Sequence, residues 1–127
     1  MANPQFLIDS NIVIYILADA SSPAALRLQE MARGSVVTSS IAYAEVMRGF
    51  VHADPATLQR AAQFFAVIEA LPFDRNAAEQ YSRLPFRRGS FDRLIAAHAL
   101  SCKLTLVTAN ERDFNDVTAL QVENWAR

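Results

Sequence analysis

A chain of 127 residues with 52% hydrophobic content can bury a core of its own. Its 12 basic side chains against 13 acidic ones leave a net charge of −1, which excludes a global electrostatic pull on nucleic acid and leaves only local patches to meet a polyanion. One cysteine and two histidines exclude a disulfide framework and a cysteine-rich zinc site, and neither a bilayer-length apolar run nor an export pattern at Met1–Gln5 is present, so the sequence predicts one soluble, cytoplasmic domain over 1–127.

The first predicted element is a strand, Phe6 to Ile8, that ends on a bare aspartate, Asp9, with a helix starting at once in SNIVIYIL. Ser22 with Pro23 is a cap-and-proline start, and Gly34 a stop, for a helix from Pro23 to Arg33. SVVT, residues 35–38, reads as a short buried strand followed by hydroxyl caps at Ser39 and Ser40. From Ile41 to Val51, Tyr43, Val46, Met47 and Phe50 recur at helical spacing. Asp54 and Pro55 repeat the start signal for a long helix striped by Leu58, Ala61, Ala62, Phe65 and Ile68. Leu71 to Phe73 is a weak strand, and Asp74 caps a helix to about Leu84.

LPFRRGS, broken by Pro85 and Gly89, reads as an exposed loop, and Phe91 to Ser101 as a helix. Thr105 to Thr108 is an apolar strand, NERDF a turn, and Leu120 to Glu123 a final edge strand. Strands alternating with helices predict an α/β three-layer sandwich, its mostly parallel central sheet flanked by helices.

In such a sheet ligands gather at the carboxyl ends of the strands, and the polar residues fall there. Asp9 ends the first strand, Glu45 follows the second by about a helical turn, and Thr108, Asn110 and Asp113 follow the fourth, while Asp92 opens the helix FDRLIAAHAL. Each has a plainer reading. Asp9 and Asp92 could be helix caps, Glu45 could pair with Arg48 or Arg27, and Asp113 could be a solvated turn residue. Convergence would tip the balance, since carboxylates at 4 Å repel by about 4 kcal/mol per pair at an effective dielectric of about 20 and so call for a proton or a cation. An all-oxygen set suits Mg²⁺ or Mn²⁺, which is the equipment of a phosphodiesterase. Arg87, Arg88, Arg93 and Arg112 surround these acids in sequence and could hold a polyanion, or could form a solvated rim.

Six segments in this order, LIDSNIVIYIL, SSIAYAEVMRG, LPFDRNAAEQYSRL, FDRLIAAHAL, TLVTANERDF and LQVENW, resemble those of PIN-domain ribonucleases, most closely the VapC toxin type of toxin–antitoxin pairs. The resemblance covers nearly the whole chain. It implies a metal-dependent endoribonuclease whose four acids are Asp9, Glu45, Asp92 and Asp113, with Asn11, Thr108 and Asn110 in support. In that expectation Asp9 and Asp92 hold Mg²⁺ or Mn²⁺, Asp113 completes the site, Glu45 serves the attacking water, and Arg87, Arg88, Arg93 and Arg112 contact RNA. The resemblance also implies a homodimer and a small antitoxin partner inserting into the active-site groove.

Two departures stand out. LPFRRGSFD is shorter than the polar loop common before the third acid, and Asn110 stands where many PIN domains carry another acid. Two other classes compete with the nuclease reading. A phosphatase forming an aspartyl phosphate on Asp9 would want an acid at position 11, which is Asn11, and a well-placed lysine, whereas Lys103 is the sole lysine. A non-catalytic binding module would use the acids only as caps. His98 and Cys102 read as core or flank residues of the helix after Asp92.

Overall fold

The computed structural model describes all residues, Met1–Arg127. In chain order the elements are β1 (Phe6–Ile8), α1 (Ser10–Ala18), α2 (Pro23–Gln29), β2 (Val36–Ser39), α3 (Ser40–Gly49), α4 (Pro55–Val67), β3 (Ala70–Leu71), α5 (Arg75–Ser82), α6 (Phe91–Ser101), β4 (Thr105–Thr108), a 3₁₀ turn (Glu111–Phe114) and β5 (Val122–Asn124). The five strands form one sheet in the order β3-β2-β1-β4-β5, and every pairing is parallel.

Alternation along the strands builds two cores. Leu7, Val37 and Leu106 share one face in register and pack with Ile95, Ala96 and Ala99 of α6. Ile8, Val36 and Val107 belong to the other face, with Ile12 and Val13 of α1, Ala24 of α2 and Ile68 after α4. A strand apolar on both sides is stable only when helices cover both, and here α1, α2 and α4 cover one face while α6, backed by α5, covers the other. The buried Trp125 closes the second core beyond β5, its ring 5.4 Å from Phe6, with the Arg27 guanidinium 5.7 Å from the indole centroid. No helix is long and apolar enough to cross a membrane.

Most element positions match the sequence reading, and the differences have local causes. α2 stops at Gln29 rather than Arg33 because Glu30 and Met31 donate to carbonyls three residues back, Arg27 at 3.1 Å and Leu28 at 3.0 Å. β3 is two residues ending at Leu71, and the next residue, Pro72, has no N–H to extend the ladder. The last strand begins at Val122, since the Leu120 amide turns back to the Val117 carbonyl at 3.1 Å.

Ser39 links a strand end to both helix layers. Its Oγ accepts from the Ile41 amide at 3.1 Å, capping α3, and lies 2.8 Å from Nδ1 of buried His98 on α6. Burial holds His98 below its ordinary pKa, so the ring is neutral and shares one hydrogen bond with the Ser39 hydroxyl, whose donor the tautomer decides. His98 is therefore a core residue, packed edge-on against Phe73, while Cys102 is exposed. Ser39→Ala removes the cap and strands the imidazole nitrogen; urea unfolding is expected to show a loss of about 1–3 kcal/mol.

Candidate active site at the carboxyl ends of the strands

Asp9 leaves the end of β1 in extended backbone and caps α1, its Oδ1 accepting from the Ile12 amide at 3.0 Å. The cap reading is therefore correct, and it does not exclude the other, because Asp9 is only 3% exposed and other carboxylates face it. Ser10, the next residue, donates from Oγ to Glu45 Oε1 at 3.1 Å, joining the first turn of α1 to the middle of α3. Glu45 is half-buried and forms no ion pair, since Arg27 turns instead to Glu123 at 3.5 Å. Asp92 lies in the first turn of α6, where a negative charge suits the helix amides, but Ser90 holds the cap position.

The polar residues after β4 complete the edge. Thr108 Oγ1 accepts the Asn110 amide at 3.1 Å, and its side chain lies beside the Asp9 carboxylate, where it favours the charged form. Asn110 Nδ2 donates to Asp113 Oδ2 at 2.6 Å. Asn11 is exposed on the first turn of α1.

Three of the four acids bind protons more tightly than ordinary carboxylates. Asp9 is pushed up to about 6, chiefly by burial, against the Thr108 side chain and the Ile12 amide and with added repulsion from Asp92 and Glu45. Burial also raises Glu45, opposed by the Ser10 hydroxyl and assisted by Asp92. Asp92 is raised by burial and then by Asp113. Asp92 thus repels both Asp9 and Glu45, and Asp113 repels Asp92. None of the chain's ion pairs includes these acids; the pairs are Arg27–Glu123, Arg87–Asp116, Arg93–Asp116 and Arg127–Glu111.

This donor set fits a hard divalent cation. It offers only oxygen and carries negative charge that no side chain offsets, which is the chemistry such an ion takes, although no three of the acids stand close enough together to form a ready-made metal centre.

The basic residues divide. Arg88 and Arg112 are exposed and form no ion pair, and Arg87 makes a loose one with Asp116 at 3.7 Å, so all three can meet a polyanion. Arg93 corrects the sequence reading. It is 1% exposed and donates from Nη2 to Asp116 Oδ1 at 2.7 Å and to the Asp113 carbonyl at 3.0 Å, so it has no charge to offer RNA. Two residues of the site escaped the sequence reading as such: Ser10, whose position one past the strand-end acid was a usable signal, and Asp116, which carried none.

The sequence pattern of the PIN domain matches residues 6–120. Among curated proteins, the chain is 29% identical to a tRNA(fMet)-specific endonuclease VapC of Shigella flexneri over 96% of this chain and 98% of that one. It is 30% identical to a ribonuclease VapC2 of Haemophilus influenzae, over 95% and 98%. Among solved structures, VapBC2 of Rickettsia felis bound to a promoter DNA fragment superposes with a TM-score of 0.84 at 25% identity, over 94% of this chain and 98% of that one. The DNA-bound VapBC of Salmonella typhimurium gives 0.80 at 25%, over 96% and 98%.

The raised acids fix the sign of a pH effect. Between about pH 4 and 6 the folded protein keeps a proton on Asp9 that the unfolded chain, with its ordinary value of 3.8, has lost, so stability falls as pH rises through that window. For Asp9 alone the fall is about 3 kcal/mol, and Glu45 and Asp92 add to it with the same sign. Urea unfolding in EDTA across this range should show the decline, and Asp9→Asn, which can still cap α1, should remove much of it; an unchanged slope in the variant would rule out this origin.

Proposed function

The chain belongs to the PIN domain family, in its VapC group, and from that membership we propose that it is a Mg²⁺- or Mn²⁺-dependent endoribonuclease, the cytoplasmic toxin of a toxin–antitoxin pair, working as a homodimer. What supports the chemistry is that Asp9, Glu45 and Asp92, at the strand ends, have raised proton affinity and no ion-pair partner.

Asp9, Asp92 and Asp113 would hold the ion. When bound, it acidifies a water and offsets negative charge growing on the scissile phosphate. Asp9 is kept in place by the Ile12 amide, and Asp113 by Asn110. Glu45 takes the proton of the attacking water: burial has raised its proton affinity, and Ser10 fixes Oε1 so that one carboxylate edge stays oriented. Arg87, Arg88 and Arg112 draw the RNA backbone to the rim. With water rather than the ribose 2′ hydroxyl as nucleophile, the products carry 5′ phosphate and 3′ hydroxyl ends.

An antitoxin partner fits a second surface. A cavity of about 560 Å³ is lined by Leu17, Leu28, Met31, Phe64, Val67 and Ile68, with Arg33 and Arg60 also on its wall. An apolar, acidic antitoxin segment suits it. Because α1 runs from Ser10 at the acids to Leu17 at the cavity, a segment seated there has roughly 10 Å of helix to follow into the active-site groove.

Purified protein should cut a mixed structured RNA pool only with Mg²⁺ or Mn²⁺, and EDTA should stop it. Asp9→Asn and Glu45→Gln are each expected to lower the rate by about 100-fold or more. Cleavage that survives both substitutions, or that leaves cyclic phosphate ends, contradicts the proposal.

A further inference from the structure

Arg93 has no place in the mechanism above, yet its side chain connects two of the acids. It follows Asp92 directly at the start of α6, is 1% exposed, and ends on the main-chain carbonyl of Asp113 at 3.0 Å and on Asp116 Oδ1 at 2.7 Å. Its other terminal nitrogen, Nη1, is buried without a partner. An apolar residue of similar volume often replaces a buried ion pair without loss of stability, so packing alone does not call for an arginine here. What an apolar residue cannot do is grip the carbonyl of Asp113.

We infer that Arg93 is a positioning residue that holds the segment carrying Asp113 at a fixed distance from Asp92, so that the two carboxylates act on one ion. The inference rests on the proposed metal-dependent nuclease. Asp92 and Asp113 already lie near enough to raise the proton affinity of Asp92. Asp113 sits in a short 3₁₀ turn whose own hydrogen bonds are long, at 3.2 Å from its amide to the Asn110 carbonyl and 3.3 Å from the Asn115 amide to the Arg112 carbonyl. Asp116 serves as the outer anchor. It is part-exposed, holds Arg93 from the solvent side and faces Arg87 at 3.7 Å, which also ties the loop before α6 to the same point.

The two ends of the pair differ in what their loss does. Removing Arg93 leaves Asp116 free to hydrate, so Arg93→Met should fold. Removing the grip lets Asp113 drift, which is a fault in the support of a ligand rather than in a substrate contact.

The test compares full-length wild type, Arg93→Met and Arg93→Lys by calorimetric titration with Mn²⁺, by RNA-cleavage kinetics and by thermal unfolding. Expected is a folded Arg93→Met that binds Mn²⁺ about 10- to 100-fold more weakly, with kcat reduced and the KM for RNA unchanged, and partial recovery in Arg93→Lys, which keeps the charge but not the two-pronged donor. If Arg93→Met does not fold, Asp116→Asn should weaken Mn²⁺ binding in the same direction by a smaller factor. Unchanged Mn²⁺ affinity in a folded variant, or a rise in KM alone, overturns the positioning role and leaves the nuclease reading intact. A wild type that neither binds Mn²⁺ nor cuts RNA overturns both.

Discussion

Strand β1 is hydrogen-bonded to a parallel neighbour on each side, β2 and β4, and with all three running the same way their carboxyl ends open on one edge. Whatever residue follows Ile8 is therefore placed among the residues that follow β2 and β4. Asp9 cannot leave that position without breaking the central strand, because its own amide donates to the Val107 carbonyl at 3.0 Å. Glu45 comes from the helix that starts at the end of β2, and Thr108, Asn110 and Asp113 from the end of β4. The site is thus a consequence of parallel register, and a one-residue slip would turn each strand's side chains to the opposite face.

Burial and repulsion then act together on these acids. Asp9 is buried because α1 must start at once to cover Ile8 and Val107, and the same start uses its carboxylate as a cap. Capping and catalytic readings of such a residue are not alternatives: the amide bond orients the carboxylate, while desolvation raises its proton affinity. A domain that keeps three raised acids together with no basic partner gives up stability near neutral pH. Under the proposed function a bound divalent cation would restore it, which would link occupancy to folding.

Much of this was legible in the chain because its signals are local. The strand-to-helix switch at Asp9, the cap-and-proline pairs Ser22–Pro23 and Asp54–Pro55, and the helix FDRLIAAHAL each need fewer than a dozen residues to read, and all stand in the structure. Glu45 was legible from its place about a helical turn past the second strand, although its partner, Ser10, lies 35 residues away. Arg93 was misread for the complementary reason. Next to Asp92, Arg87 and Arg88 it looks like part of a basic patch, but its partners lie 20 and 23 residues along, and the turn that brings them back has no sequence signature. Element ends such as those of α2 and β3 depend on single hydrogen bonds and on Pro72, details that periodicity does not resolve.

The central claim is that burial and mutual repulsion raise the proton affinity of the acids at this edge and favour a bound cation. The measurement that tests it most directly is a ¹³C NMR titration of the Asp9 carboxyl with and without saturating Mg²⁺. The account predicts a midpoint at about 6 without metal and a downward move of ~1 unit or more with it, since a nearby cation favours the ionised form. A midpoint in the ordinary aspartate range, or one that Mg²⁺ does not move, would contradict it.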